Sequence, residues 1–338
     1  MRYINRKIKN ILGVECAHES SMLRYFIKLK YCVRGGWYTP YEVYKRSKID
    51  IFDYKALAQP LKFYPFVPID ENNLYGNGAV IKKAFKNINL IETTIEHGLY
   101  LGSYVPKRHL LNSYKNIITY SEYRKHFIEV KANQKILTIG PYITYADTLL
   151  SSKKISLIRQ KFGRTLLVFP SHSIDSIHAE YDIDKFIGYI KEFSVQYSFD
   201  KVLICLYWKD ISLDKQRLYV NAGFDIVTAG HIYDPYFLSR LKTIILLADA
   251  TLTNSIGTHV GYAVSLDKPT QIWNKTFVSY HADPKNEIEA KKELEKRQGL
   301  DLESYTDSVT HISSLFSDFD GSISPSQRMC IEYYWGKS

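Results

Sequence analysis

Two spacings of apolar residues take turns along most of the chain. Short runs of β-branched and aliphatic residues read as buried strands, and stretches with an apolar residue every third or fourth position read as helices with one buried face. The first run is "NLIETTIEHG" (89–98). "NIITYS" (116–121) reads as a buried strand, "EYRKHFIEV" as the helix after it, and "KILTIG" (135–140) as the next strand, stopped by Gly140 and Pro141. "YADTLLSSKKISLIRQKFG" is weakly patterned and basic and reads as a loop, so a domain boundary is expected between about Asp147 and Gly163.

A second, cleaner series opens at "TLLVFP" (165–170). Helix "DIDKFIGYIKEFSVQY", strand "KVLICLYW", a helix near "LDKQRLYVNAG", strand "FDIVTAG", helix "PYFLSRLKTIILLA", strand "ATLTN", helix "THVGYAVSL" and strand "TQIW" follow in turn. Strands alternating with helices at this spacing make right-handed crossovers and a doubly wound parallel sheet. Beyond His281 the chain is charged in "PKNEIEAKKELEKRQG", polar around "SSLFSDFDGSISPSQ", and closes with the aromatic "QRMCIEYYWG". The expected architecture is α/β: residues 1–150 as one domain, 160–320 as a second, and a final helix over 321–338 crossing back to the first.

Composition agrees with two domains, because 338 residues exceed the ~250–300 at which a single core stops growing. With 45% apolar and 24% charged residues the chain is of the ordinary globular class. The net charge of +10 fits nucleic acid, an anionic membrane face or anionic substrates. An AT-rich coding sequence would produce the same excess of Lys, Ile, Asn, Tyr and Phe. The basic residues are dispersed and no nucleic-acid-binding signature accompanies them, so nucleic acid is not an expected partner. Cys16, Cys32, Cys205 and Cys330 never form a C-x-x-C pair, which argues against a zinc site and a disulfide framework and for a reducing compartment. "MRYINRKIKNILGV" has no secretory core, and the expected location is the cytoplasm. Ile4, Ile8, Ile11 and Leu12 share one helical face opposite Arg2, Arg6, Lys7 and Lys9; such a segment can lie peripherally on the cytoplasmic face of the inner membrane, or pack on its own domain.

Ligands of open α/β sheets bind beyond the carboxyl ends of the strands. That rule selects four loops: "IEHGLYLG", "FPSHS", "TAGHIYDP" and "TNSIGTH". In the last, Gly257 admits a ligand close to the backbone, Ser255 and Thr258 offer hydroxyls, and the next helix offers free N–H groups, a combination suited to phosphate. The competing reading is a plain helix cap. Convergence of His172 and Ser173, Gly230 and His231, and Ser255 to His259 on one crevice favours a single phosphate-bearing ligand. In the first half, Glu96-His97-Gly98 sets a carboxylate next to an imidazole able to accept a proton from a hydroxyl. Neighbours on a strand face opposite ways, so Glu96 either assists His97 or orients the loop. "GNGAVI" lacks the third glycine of a dinucleotide fingerprint, and no Walker, nucleophile-elbow or zincin motif occurs. "DID" at 182–184 reads as a helix cap and "DFD" at 318–320 lies in a polar segment, so no metal is expected.

"LADATLTNSIGTHVGYAVSLDKP", with its helix, strand, small polar loop, helix and Lys-Pro, resembles the nucleotide-binding segment of GT-B glycosyltransferases that build bacterial surface polysaccharides such as capsule and lipopolysaccharide. The "EHG" loop, "ITYSEYRKHFI" and "ILTIGPY" are similar to the acceptor side of the same enzymes, and the likeness covers roughly Ile91 to Trp273. It implies two Rossmann-like doubly wound domains facing across a cleft. It also implies transfer of a sugar from a nucleotide-sugar donor, as co-substrate and without a cofactor, to a hydroxyl of a glycan or lipid-linked glycan, inverting and metal-independent. On it His97 is the base with Glu96 as helper or substitute, and donor binding falls to His172, Ser173, Gly230, His231, Ser255, Gly257, Thr258 and His259. An alcohol-phosphate transferase using a CDP-glycerol-type donor would use the same loops; a basic nucleic-acid-binding protein and a noncatalytic assembly partner are the readings from other classes.

Overall fold

The computed structural model describes residues 38–61, 70–173, 177–275, 278–282 and 302–337, with Met22 and Leu29. The basic amphipathic segment, Cys16, Cys32 and the Lys/Glu-rich stretch at 284–299 lie outside these residues. Helices Tyr38–Ser47 (α1), Tyr54–Ala58 (α2) and Asn77–Ala84 (α3) come before the first strand. Strands Thr93–Ile95 (β1), Asn116–Thr119 (β2) and Lys135–Thr138 (β3) follow, with helix Glu122–Glu129 (α4) between the last two, and then helix Ser152–Phe162 (α5).

The second series runs Thr165–Phe169 (β4), Ile177–Glu180 (β5), Ile183–Gln196 (α6), Lys201–Cys205 (β6), Trp208–Ser212 (α7), Gln216–Asn221 (α8) and Asp225–Val227 (β7). It continues through Phe237–Leu247 (α9), Ala250–Thr253 (β8), Thr258–Ser265 (α10), Thr270–Ile272 (β9) and Ser279–Ala282 (β10), and ends in helices Leu302–Phe316 (α11) and Pro325–Trp335 (α12).

The five-stranded sheet has the order β7-β6-β4-β8-β9, all parallel. Strand order reverses between β4 and β8, so the crevice beyond their carboxyl ends is the topological switch point. Every residue of β4 and β8 is buried, as strands covered on both faces must be. The first sheet differs from the expected doubly wound half. Among the described residues its three parallel strands lie in the sequential order β1-β2-β3, without a reversal, so within these residues the doubly wound pattern is seen in the second sheet.

Local structure adds to or departs from the sequence reading at three places. The stretch read as a loop before Gly163 contains α5, which starts where the Ser151 hydroxyl accepts the Lys154 N–H; only Ile155 of this helix is fully buried, hence its faint period. The segment read as polar around Ser313 is the end of α11. β5 and β10 form an antiparallel ribbon that no alternation announced. Asp182 caps α6, accepting the Lys185 N–H at 2.9 Å, as the helix-start reading of "DID" requires.

The two sheets share buried apolar material. One cluster contains Ile95 and Ile118 of the first sheet together with Leu167, Leu203 and Val227 of the second. The last helix seals the junction: the Ser121 hydroxyl ahead of α4 donates to the Tyr334 carbonyl at 2.8 Å, and the fully buried Trp335 donates to the Thr258 carbonyl at 3.2 Å. Its ring lies on Gly261 of α10, where a Cβ would fall 2.2 Å from the indole. Between α10 and the first sheet, the hydroxyls of Tyr120 and Tyr262 bond at 2.9 Å.

Candidate functional site

The carboxyl ends of β1 and β8 meet. Leu99 N–H donates to Thr258 Oγ1 at 2.9 Å, and a Cβ on Gly98 would lie 3.2 Å from the same oxygen, so the two loops are in direct contact. His97 precedes this contact by one residue in the same loop.

Adjacent residues at the end of β1 have opposite fates, as the period of a strand dictates. Glu96 is fully buried and locked: Arg124 donates to both of its oxygens, at 2.7 and 3.2 Å, and the Thr119 hydroxyl donates at 2.6 Å. Burial alone would raise its pKa, but the Arg124 charge and hydrogen bonds bring it below the ordinary carboxylate range. Arg124 spends its other donors on the carbonyls of Gly102 and Tyr104. Glu96 is thus a structural carboxylate, not the partner of His97.

That partner is Glu71, which the sequence reading did not single out. His97 Nδ1 lies 2.7 Å from Glu71 Oε2, and the His97 ring keeps 20% exposure. Glu71 is delivered by the turn Asp70–Gly76, in which Asn72 imitates a neighbouring strand: its side chain donates to the Thr93 carbonyl at 2.7 Å and accepts the Ile95 N–H at 2.8 Å. The Asn77 amide donates to the His97 carbonyl at 3.2 Å. His109 Nε2 also reaches Glu71 Oε2, at 3.1 Å, and Arg108 Nε reaches Oε1 at 2.5 Å. Burial raises the Glu71 pKa, yet the hydrogen bonds from His109 and His97 outweigh it and hold the carboxyl well below its usual range. An anionic Glu71 accepts His97 Nδ1–H and leaves a lone pair on Nε2.

At the switch point the β8 loop is braced from inside. The Thr253 hydroxyl donates to the Ser255 carbonyl at 2.9 Å, so it can only accept from His259 Nε2, at 3.0 Å. The neutral His259 ring therefore carries its proton on Nε2 and presents Nδ1 as an acceptor. Burial, with a smaller effect from His172, pushes its pKa down to about 3. His172 donates Nδ1–H to the Ser173 carbonyl at 3.3 Å, packs on Tyr207, and is likewise kept neutral by burial. Burial thus disfavours the cationic form of both rings. Among the described residues, the half-buried Ser255, the Thr258 hydroxyl, which accepts from Leu99 and retains its own O–H, and the N–H groups of Thr258 and His259 remain as donors, while the Val260 N–H is taken by the Gly257 carbonyl at 3.1 Å. Gly257 is extended, and a Cβ there would strike the His259 ring at 2.9 Å.

The other expected donor residues are not brought to this crevice as side chains. Ser173 is buried, its N–H pointing to Asp210 and its Oγ receiving Ala179 N–H and Lys215 Nζ, each at 3.2 Å. Gly230 and His231 follow β7, two strands away from β4 at the sheet edge. Gly230 has φ +102° and a Cβ there would fall 2.7 Å from Arg240, so it serves close packing. His231 is 5% exposed, rests on Trp208, and has its pKa lowered to about 4 by burial and then by Arg46. Among the described residues one trio, Glu71, His97 and His109, has the donor atoms and spacing to hold a metal ion.

No protein-family model matches the chain, and no curated protein matches it. Among solved structures it is similar to one titled "Structure of the Wall Teichoic Acid Polymerase TagF", at 13% identity and a TM-score of 0.33, over 54% of this chain and 48% of that one. The chain spans about half the length of that protein, and a likeness this distant carries no functional argument.

Proposed function

We propose that the protein is a glycosyltransferase that moves a sugar from a nucleotide-activated donor to a hydroxyl of a bacterial surface glycan. The observation that carries this reading is the Leu99 to Thr258 hydrogen bond of 2.9 Å, because it joins the loop that holds a carboxylate-bound imidazole to the helix N-terminus at the switch point. His97 Nε2 takes the proton of the acceptor hydroxyl, and the oxygen forms its bond to the anomeric carbon. The bond from that carbon to the donor phosphate breaks, and the charge left on the phosphate is met by the N–H groups of α10 and the hydroxyls of Thr258 and Ser255. The Nε2 lone pair of His172 accepts from a donor hydroxyl. A base opposite the leaving group gives inversion.

The test is a thermal-shift and turnover panel with CMP-, CDP-, UDP- and GDP-linked donors. One nucleotide class should raise the melting point, since a ligand that binds only the folded state stabilises it. Turnover with CDP-glycerol in place of a sugar nucleotide would move the protein to the alcohol-phosphate transferases. Absence of stabilisation by every nucleotide would end the proposal.

A further inference from the structure

We infer that Glu71, His97 and His109 form a site for one divalent transition-metal ion of the zinc class, and that this ion switches off the base assigned above. The binding half of the inference is independent of the function proposed; the switching half rests on it. Glu71 Oε2 is 2.7 Å from His97 Nδ1 and 3.1 Å from His109 Nε2, and the three ligand atoms lie within 4.8 Å of one another. A tetrahedral ion with bonds of ~2.0–2.1 Å keeps its ligand atoms roughly 3.3 Å apart. The two pairs that include Glu71 therefore open by about 0.6 and 0.2 Å, and the two imidazole nitrogens, within 4.8 Å of each other, draw in to the same spacing. Two imidazoles and one carboxylate are a donor set that zinc and its neighbours accept, with a further position left for water.

The surroundings suit an ion as well. Arg108 holds the other Glu71 oxygen at 2.5 Å, the outer contact that fixes a ligating carboxylate. Asn72 and Asn77 anchor the backbone on both sides of the trio. The side chains of Glu71 and His97 are 14% and 20% exposed and leave an approach, while that of His109, at 1%, forms the inner wall. His109 Nδ1 is buried without a hydrogen-bond partner among the described residues, so the Glu71 carboxylate is the contact that holds the ring in the tautomer donating from Nε2, and an ion that takes Nε2 replaces that contact.

The chemistry of the switch follows from proton placement. Without the ion, Glu71 accepts His97 Nδ1–H and Nε2 holds the lone pair. An ion takes the Nδ1 lone pair, so the ring proton resides on Nε2; in His109 the proton passes from Nε2 to Nδ1. No net proton is gained or lost, and the acceptor hydroxyl loses its base.

EDTA-treated full-length protein is titrated calorimetrically with zinc chloride and its metal content measured, beside Glu71→Gln and His109→Ala, with circular dichroism to verify folding. One ion per chain, bound at least ~100-fold more weakly by each variant, is the expected result. No stoichiometric binding by the parent protein, or unchanged binding by both variants, would overturn the site. Should either variant fail to fold, His97→Ala takes its place, with the same two outcomes. Turnover is then followed with and without zinc: inhibition reversed by EDTA supports the switch, and zinc-insensitive turnover overturns it. Zinc binding without turnover of any donor leaves the site standing and removes the enzyme reading; turnover without zinc binding does the reverse.

Discussion

The Glu71 cluster and the Asp234 cluster share a plan in which one carboxylate oxygen receives two basic side chains, but differ in who those partners are and in what reaches them. Asp234 Oδ2 accepts from Arg46 Nε at 3.0 Å and Arg240 Nη1 at 3.1 Å, and the Asp234 and Arg240 side chains are wholly buried. Arg46 also donates to the carbonyls of Leu57 and Gln59, so this cluster pins the front of the chain to the second sheet. Guanidinium groups do not give up protons in the physiological range. Glu71 instead stands between two imidazoles, which can hold or release a proton and can ligate a metal. A carboxylate between basic groups is a brace where its partners cannot titrate and solvent is shut out, and a working site where both conditions are relaxed.

The strongest way to break the comparison is to remove the braced carboxylate. Asp234→Ala leaves two buried arginines without their shared partner, and Arg240 already has Nε and Nη2 unpaired among the described residues. The expected loss is about 3–5 kcal/mol, read from the shift of the urea midpoint. His97→Gln should behave oppositely: kcat falls by ~10²–10⁴ while donor affinity and unfolding midpoint stay near those of the parent. A variant with more than a tenth of the parent kcat would show that His97 is not the base.

A pH series sharpens the contrast from the braced side. His231, beside Arg46, has its folded-state pKa depressed to about 4 from 6.5. The unfolded chain therefore binds the extra proton first, and stability present above pH 6.5 is lost as pH falls toward 4, by at most about 3 kcal/mol. His231→Asn should flatten that part of the stability profile; an unchanged slope would assign it elsewhere. The smallest effect is expected at the meeting of the loops. Thr258→Val removes the acceptor of Leu99 N–H and a donor to phosphate, and should weaken nucleotide binding about tenfold in calorimetry. Thr258→Ser should restore it.

Much of the second half was legible in the sequence. Its longer strands, β4 and β6, are apolar runs bounded by turn residues, a signal that a few positions carry by themselves. The switch-point loop was legible for the same reason. α5 was missed because a helix with one fully buried residue leaves almost no period to read. The ribbon of β5 and β10 joins segments about a hundred residues apart through backbone hydrogen bonds, which side-chain patterning does not record.

The site was legible only in part. The residues around His97 announced an imidazole at a strand end, but the fate of Glu96 depended on Arg124, 28 positions later on what looks like a solvated helix, and the partner of His97 came from 26 positions earlier. The run "IDENNLYGNG" shows polar residues crowded ahead of a turn; that Asn72 would be buried as a substitute strand is not written there. The sequence by itself determined most strands and helices of the second half and which of their strand ends carry small polar residues, because those follow from period and turn chemistry among near neighbours. Tertiary structure alone decided which carboxylate meets His97, which tautomers the histidines take and which polar groups remain to meet a ligand, because a buried hydrogen bond is settled by whichever group the fold brings within 3 Å, however far along the chain it began.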